Sequence, residues 1–179
     1  MRKSNRSIKK ASTRIHLLTT LLAITVTGMV PVTHAFEKTV NKPAKVMTQG
    51  INHLGLTVAK LDQSVRFFTE TLGWQLKGGV PSYPAKFVSD GKLFITLWQA
   101  KDPEKAVPFN RKTNIGLHHL ALTVDSFETL DLLHQRFLHT PGVVIEFAPE
   151  LNGKGPTKHM MIREPSGNRI EFAHNPPKN

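Results

Sequence analysis

The sequence predicts an α+β fold made of two βαβββ modules. Three observations lead there. Ile51-Asn52-His53-Leu54-Gly55-Leu56-Thr57-Val58 recurs as Leu117-His118-His119-Leu120-Ala121-Leu122-Thr123-Val124. After each copy comes one stretch of helical periodicity, then three short strand-like runs separated by turn residues. Neither half has enough elements to cover its own sheet, so the halves are expected to join in one curved mixed sheet around a cup.

The chain has 179 residues. Residues 1–35 read as a signal peptide. Arg2, Lys3, Arg6, Lys9, Lys10 and Arg14 form a basic start without acids, Leu17 to Val32 is mostly apolar, and Thr33-His34-Ala35 offers small residues before a cut. Retention as an uncleaved anchor is the alternative, but the apolar run is short for a span. Six of the 24 basic residues and none of the 13 acidic ones lie there, which leaves 18 basic against 13 acidic residues and a net charge of +5. That mild excess removes the main support for nucleic-acid binding. After cleavage no stable membrane span is expected, and the protein is expected to be exported, periplasmic or secreted. Without cysteine, the exported domain must fold without disulfides, and thiol catalysis, Cys-zinc sites and iron–sulfur clusters are excluded.

Residues 36–49 are a polar lead-in, and 50–175 form the domain: module 1 over about 50–99, a connection at 100–113, module 2 over about 114–174. In module 1, residues 51–58 alternate around Leu54, Leu56 and Val58, which argues a strand. Leu61 to Leu72 is helical in period, with Asp62 as candidate N-cap and Gly73 as stop. Trp74 to Val80, Ala85 to Ser89 and Lys92 to Trp98 are strand candidates. The connection is polar and carries Pro103 and Pro108. Module 2 repeats the order: a strand over Ile115 to Val124, a helix over Phe127 to His139 capped by Ser126, and strands over Val143 to Phe147, Lys158 to Arg163 and Asn168 to Ala173.

Strand parity places the polar residues. His53, Gly55 and Thr57 oppose the apolar face of their strand, as His119, Ala121 and Thr123 do in the repeat, and as Arg169 and Glu171 oppose Ile170 and Phe172. His53, His119 and Glu171 are therefore expected together on the concave side. Two imidazoles and one carboxylate suit a divalent Fe, Mn, Ni, Co or Zn ion with positions left open for substrate. By the same parity His118 faces away and is structural.

Asn52-His53-Leu54-Gly55-Leu56-Thr57-Val58, Phe67-Phe68-Thr69-Glu70-Thr71-Leu72-Gly73, His118-His119-Leu120-Ala121-Leu122 and Glu164-Pro165-Ser166-Gly167-Asn168-Arg169-Ile170-Glu171 resemble the vicinal oxygen chelate superfamily. That superfamily holds glyoxalase I lyases, extradiol dioxygenases, fosfomycin-resistance proteins and bleomycin-binding proteins. The resemblance spans residues 51–174 and implies His53, His119 and Glu171 as metal ligands. It also places Thr96 where the lyases carry a fourth ligand, and a threonine cannot serve as a carboxylate base. Met161 stands where the extradiol motif has a tyrosine. His159, of the same parity, is the candidate acid/base group. Phe94 and Trp98 share parity with Thr96, so Phe94, Thr96, Trp98 and Met161 are the expected substrate pocket. The implied function is a metal-dependent enzyme that chelates vicinal oxygens of a small organic molecule, with a lean to extradiol-dioxygenase-like chemistry. The alternatives are a glyoxalase I-like lyase and a non-catalytic protein that sequesters a small molecule. A homodimer is the common arrangement for a two-module chain.

Overall fold

The computed structural model describes residues 45–177; residues 1–35, expected to be a signal peptide, and most of the expected lead-in lie outside that range. Module 1 runs β1 (Leu54–Val58), α1 (Leu61–Arg66), β2 (Gln75–Val80), β3 (Ala85–Ser89) and β4 (Phe94–Gln99). Module 2 runs β5 (Leu120–Thr123), α2 (Phe127–Leu138), β6 (Val144–Leu151), β7 (Lys158–Arg163) and β8 (Arg169–His174). A short 3-10 turn at Pro103–Lys105 interrupts the connection.

Local chemistry explains most boundaries. Ser126 caps α2, its hydroxyl accepting from Thr129 N at 3.0 Å, which satisfies one of the free amides of the first turn. Asp62 is not the cap of α1. The helix already begins at Leu61, with Lys60 at the N-cap and no side-chain capping bond, so Asp62 sits in the first turn, where its charge complements the helix dipole. The expected helix to Leu72 changes character at Phe67, where α1 continues as a π-helical turn over Phe67–Thr71. Leu72 N donates to Phe67 O. This wider turn lets two successive residues, Phe67 and Phe68, both enter the core. Gly73 then takes φ +79°, a conformation that glycine adopts without a Cβ penalty.

β6 extends four residues beyond the expected Phe147, with register shifts on both sides of that residue. Pro149 is tolerated there because β6 is the outermost strand of its sheet and can spare a ladder donor. β5 is shorter than expected: residues 115–119 precede the pleat, and Ile115 is exposed.

The eight strands hydrogen-bond as two four-stranded mixed sheets, ordered β1-β4-β3-β2 and β5-β8-β7-β6. In each, the first strand pairs in parallel with the last, and the remaining pairs are antiparallel. The modules do not meet strand to strand. They share one core in which Leu56, Val58, Ile95 and Leu97 of the first sheet join Met160, Ile162, Ile170 and Phe172 of the second. Aromatic rings bridge it: Phe67 lies 5.8 Å from Phe137, which lies 5.1 Å from Phe172. Each such buried ring contributes about 1.5–3 kcal/mol. Phe67, just after α1, and Phe137 on α2 carry the helical side of both modules into that shared core.

A buried polar latch fixes the same junction. Ser64 on α1 donates to Glu164 Oε2 at 2.6 Å and lies 2.8 Å from Ser166 Oγ. Asn168 N and Nδ2 donate to Glu164 Oε1, and Nδ2 also reaches Thr57 O. The polar faces of both sheets turn away from the shared core. In β1, for example, Leu56 and Val58 are buried while Gly55 and Thr57 are exposed.

Candidate metal centre

The second module brings three of the expected residues into contact. His119 immediately precedes β5, and Glu171 lies on β8, where it pairs with Ala121. His119 Nε2 is 3.0 Å from Glu171 Oε2. His159 on β7 approaches from the other side, its Nδ1 2.5 Å from Glu171 Oε1. The register places Met161 opposite Glu171 and His159 opposite Ala173, so His159, Met161, Arg169 and Glu171 occupy one face, as parity predicted. The Phe147 ring backs His159 at 4.9 Å. Met161 is buried beside the carboxylate.

Two imidazoles and one carboxylate are donors of the right type for a divalent transition metal. Among the described residues no three His, Cys, Asp or Glu side chains converge as a ready-made cage. The rings close on the carboxylate at hydrogen-bond geometry instead. His53 is not in this group. It sits just before β1 on module 1, exposed, with Nδ1 2.7 Å from the side-chain oxygen of its neighbour Asn52. Its Nε2 has no hydrogen-bond partner among the described residues. Parity put His53 on the polar face of its own sheet, but the two polar faces belong to different sheets joined back to back through the core.

The three module 1 residues expected to line a pocket, Phe94, Thr96 and Trp98, alternate along β4. Gly55 pairs with Thr96 and Thr57 with Trp98, so Phe94, Thr96 and Trp98 share the face of His53. Thr96 is 7% exposed. Its hydroxyl accepts from Trp98 Nε1 at 2.9 Å, which holds the indole across the strand. Tyr83 and Phe87 complete an aromatic wall, with rings 5.1 and 6.1 Å from Trp98. Tyr83 was invisible to periodicity because it lies in the turn between Pro81 and Pro84.

His118 departs from its expected role. It does not face away: its Nδ1 is 2.7 Å from His119 Nδ1. Parity fails there because both residues precede the first pleated residue, Leu120. His118 also takes part in a charged cluster that sequence reasoning missed. Arg169 Nη1 donates to His118 O at 3.0 Å, while Arg169 Nε and Nη2 grip Glu146 at 2.8–3.1 Å. Arg163 Nε is 2.7 Å from Glu146 Oε1, and Arg111 Nη1 is 3.9 Å from Oε2. The hydrogen bonds from Arg169, with the fields of Arg163 and Arg111, hold the Glu146 carboxyl below its ordinary range despite partial burial. Desolvation first, and the Arg169 guanidinium second, lower His118. The Arg169–Glu171 spacing on one strand was the available signal for this cluster; Glu146, in a bulged strand, had none.

The family model for the Glyoxalase/Bleomycin resistance protein/Dioxygenase superfamily matches residues 50–172. Among solved structures, a glyoxylase/bleomycin resistance protein/dioxygenase domain from Frankia sp. EAN1pec is 26% identical, with TM-score 0.62, covering 72% of this chain and 99% of that one. A lactoylglutathione lyase from Agrobacterium tumefaciens is 19% identical, with TM-score 0.54, covering 73% and 96%. A fosfomycin resistance protein from Listeria monocytogenes is 17% identical, with TM-score 0.58, covering 73% and 96%. The last two show likeness of fold.

Proposed function

Because the chain belongs to the glyoxalase/bleomycin resistance protein/dioxygenase superfamily, we propose that it is a divalent-metal-dependent enzyme acting on a small organic molecule through two neighbouring oxygens, in the manner of an extradiol dioxygenase. The observation that carries this reading is the convergence of His119 and Glu171 at 3.0 Å, with His159 hydrogen-bonded to the same carboxylate. His53, His119 and Glu171 would hold the ion, which would polarise the two bound oxygens and leave positions open for them. His159 then acts beside them, holding Glu171 in place and offering its imidazole to a substrate proton.

His53 reaches this site from a second copy of the chain. Two features support that arrangement. The polar faces that carry His53 and His119 both turn away from the shared core, and β1 and β5 are end strands of their sheets, each with an unpaired backbone edge suited to covering by another chain. Docking module 1 of one copy beside module 2 of another would build a cup from both polar faces. We place this dimer outside the cytoplasm, in line with the leader-like residues 1–35.

A lyase with glyoxalase I-like chemistry is less well supported, since the Thr96 hydroxyl is occupied by Trp98 and offers no carboxylate base. A sequestering role draws on the aromatic wall of Tyr83, Phe87 and Trp98, which could hold a flat ligand without turnover. Oxygen uptake by the Fe(II)-loaded protein with a catechol panel separates these readings. Ring-cleavage product is expected. Turnover of a hemithioacetal would move the assignment to the lyase, and tight binding without product would move it to sequestration.

A further inference from the structure

We propose that the chain has a second ligand site, on the opposite face of the second sheet from Glu171, and that it takes a free α-amino acid with an apolar side chain. A break in the repeat creates the space. The β7–β8 turn is latched to module 1 through Glu164 with Ser64 and Asn168 with Thr57. Leu54 pairs with Ile95 in module 1 as Leu120 pairs with Ile170 in module 2. By that register the counterparts of Ser64, Glu164 and Asn168 are Leu130, Ser89 and Leu93. No carboxylate or amide stands among them. The side chains of Ser89 and Asp90 bond instead to the backbone of their own turn. Between that β3–β4 turn and α2 a cavity of about 330 Å³ is left open.

The cavity is apolar within and charged at its mouth. Leu72 and Trp74 of module 1 face Leu122, Leu133 and Phe172 of module 2 across it. All but the buried Phe172 are half-buried, so the shared core is incomplete at this point. Asp90 and Arg136, both exposed, line the same cavity. Among the described residues they form no ion pair with each other. Asp90 Oδ1 accepts from Lys92 N and Leu93 N, and Oδ2 has no partner among the described residues. Arg136 donates through Nη1 to Thr71 O at 2.7 Å, and its other nitrogens have none there either. A free carboxylate oxygen and a guanidinium with donors to spare match an ammonium and a carboxylate carried on one carbon. The volume is at the low end for ligand pockets, about 300–1,000 Å³, which suits a side chain such as that of leucine or phenylalanine. Leu122 pairs with Phe172 whereas Ala121 pairs with Glu171, and strand neighbours point to opposite faces. Neither the cavity nor its charges involve His119, His159 or Glu171.

The test is calorimetric titration of the full chain with L-leucine, with 4-methylpentanoate, which lacks the amine, and with 3-methylbutylamine, which lacks the carboxylate. L-Leucine is expected to bind at least about tenfold more tightly than either, the scale of one charge-assisted hydrogen bond. Asp90→Asn keeps the oxygen that the turn uses and removes the charge, and should erase the advantage over 4-methylpentanoate. Arg136→Met should erase the advantage over 3-methylbutylamine, and either variant carries the test if the other fails to fold. His119→Ala should bind L-leucine as the parent does; loss of binding there would put the amino acid on the metal centre and overturn the proposal. It is overturned equally by no binding of L-leucine or L-phenylalanine at millimolar concentration. An affinity for L-leucine no greater than that for one of the analogues, or an advantage that survives both substitutions, also overturns it.

Discussion

His159 Nδ1 donates to Glu171 Oε1 at 2.5 Å, on the side of the carboxylate opposite His119. The bond fixes both the tautomer of the ring and the rotamer of the carboxylate. Partners of this kind are worth roughly 10–100-fold in metal affinity when they are not ligands themselves. His159→Ala should accordingly weaken Zn(II) or Mn(II) binding by about 10–100-fold while the number of ions bound per chain stays the same. A titration showing no stoichiometric binding at all would instead make His159 a direct ligand.

The separation of His53 from His119 within one chain leads to a complementation experiment. His53→Ala and His119→Ala should each abolish tight metal binding alone. Mixed after unfolding and refolded together, they should regain it in part, because a mixed dimer contains one site with His53 from one chain and His119 with Glu171 from the other. No recovery in a mixture shown to be dimeric would remove the shared-site model.

The contrast between these residues shows what a sequence can and cannot reveal. Parity within one strand is local, so the shared face of His159, Met161 and Glu171 was readable, as was the Ser126 cap three residues before its amide partner. Which sheet face meets which is not local. Periodicity marks a face through Val65, Phe68 and Leu72, but not that Phe67 also turns inward, where Phe137, 70 residues later, packs against it. That pairing turned the two polar faces outward and parted His53 from His119. His118 and Glu146 were missed for a related reason. One precedes the first pleated residue and the other lies in a bulge, and in neither place does the two-residue period operate.

Glu164 is 1% exposed and accepts from Ser64 and Asn168, and among the described residues no cation touches it. Glu164→Ala would leave the buried Ser64 hydroxyl and the Asn168 amide short of acceptors across the module junction. A loss of about 2–3 kcal/mol is expected in urea unfolding. A change below about 0.5 kcal/mol, the ordinary range for surface positions, would mean that the latch does not hold the modules together.

Glu146 gives the protein an acid-sensitive component. Its carboxyl titrates below the ordinary range in the folded state because Arg169 donates to it and Arg163 and Arg111 lie close. A carboxylate depressed in this way binds its proton more readily in the unfolded chain. Its contribution is therefore complete above the unfolded value of about 4.3 and is lost as pH falls through the lower folded value. Glu146→Gln should be less stable than the parent at pH 7, by about 2 kcal/mol for a charge hydrogen-bonded to a buried guanidinium. The gap should narrow steadily from about pH 4 downward, once the parent side chain is also neutral. Other carboxylates titrate in the same window, so the difference between the two proteins is the quantity to follow, by urea midpoints across pH 3–7. A gap that stays constant over that range would show that Glu146 acts through shape rather than charge, and would weaken the case that its arginines form a charged cluster.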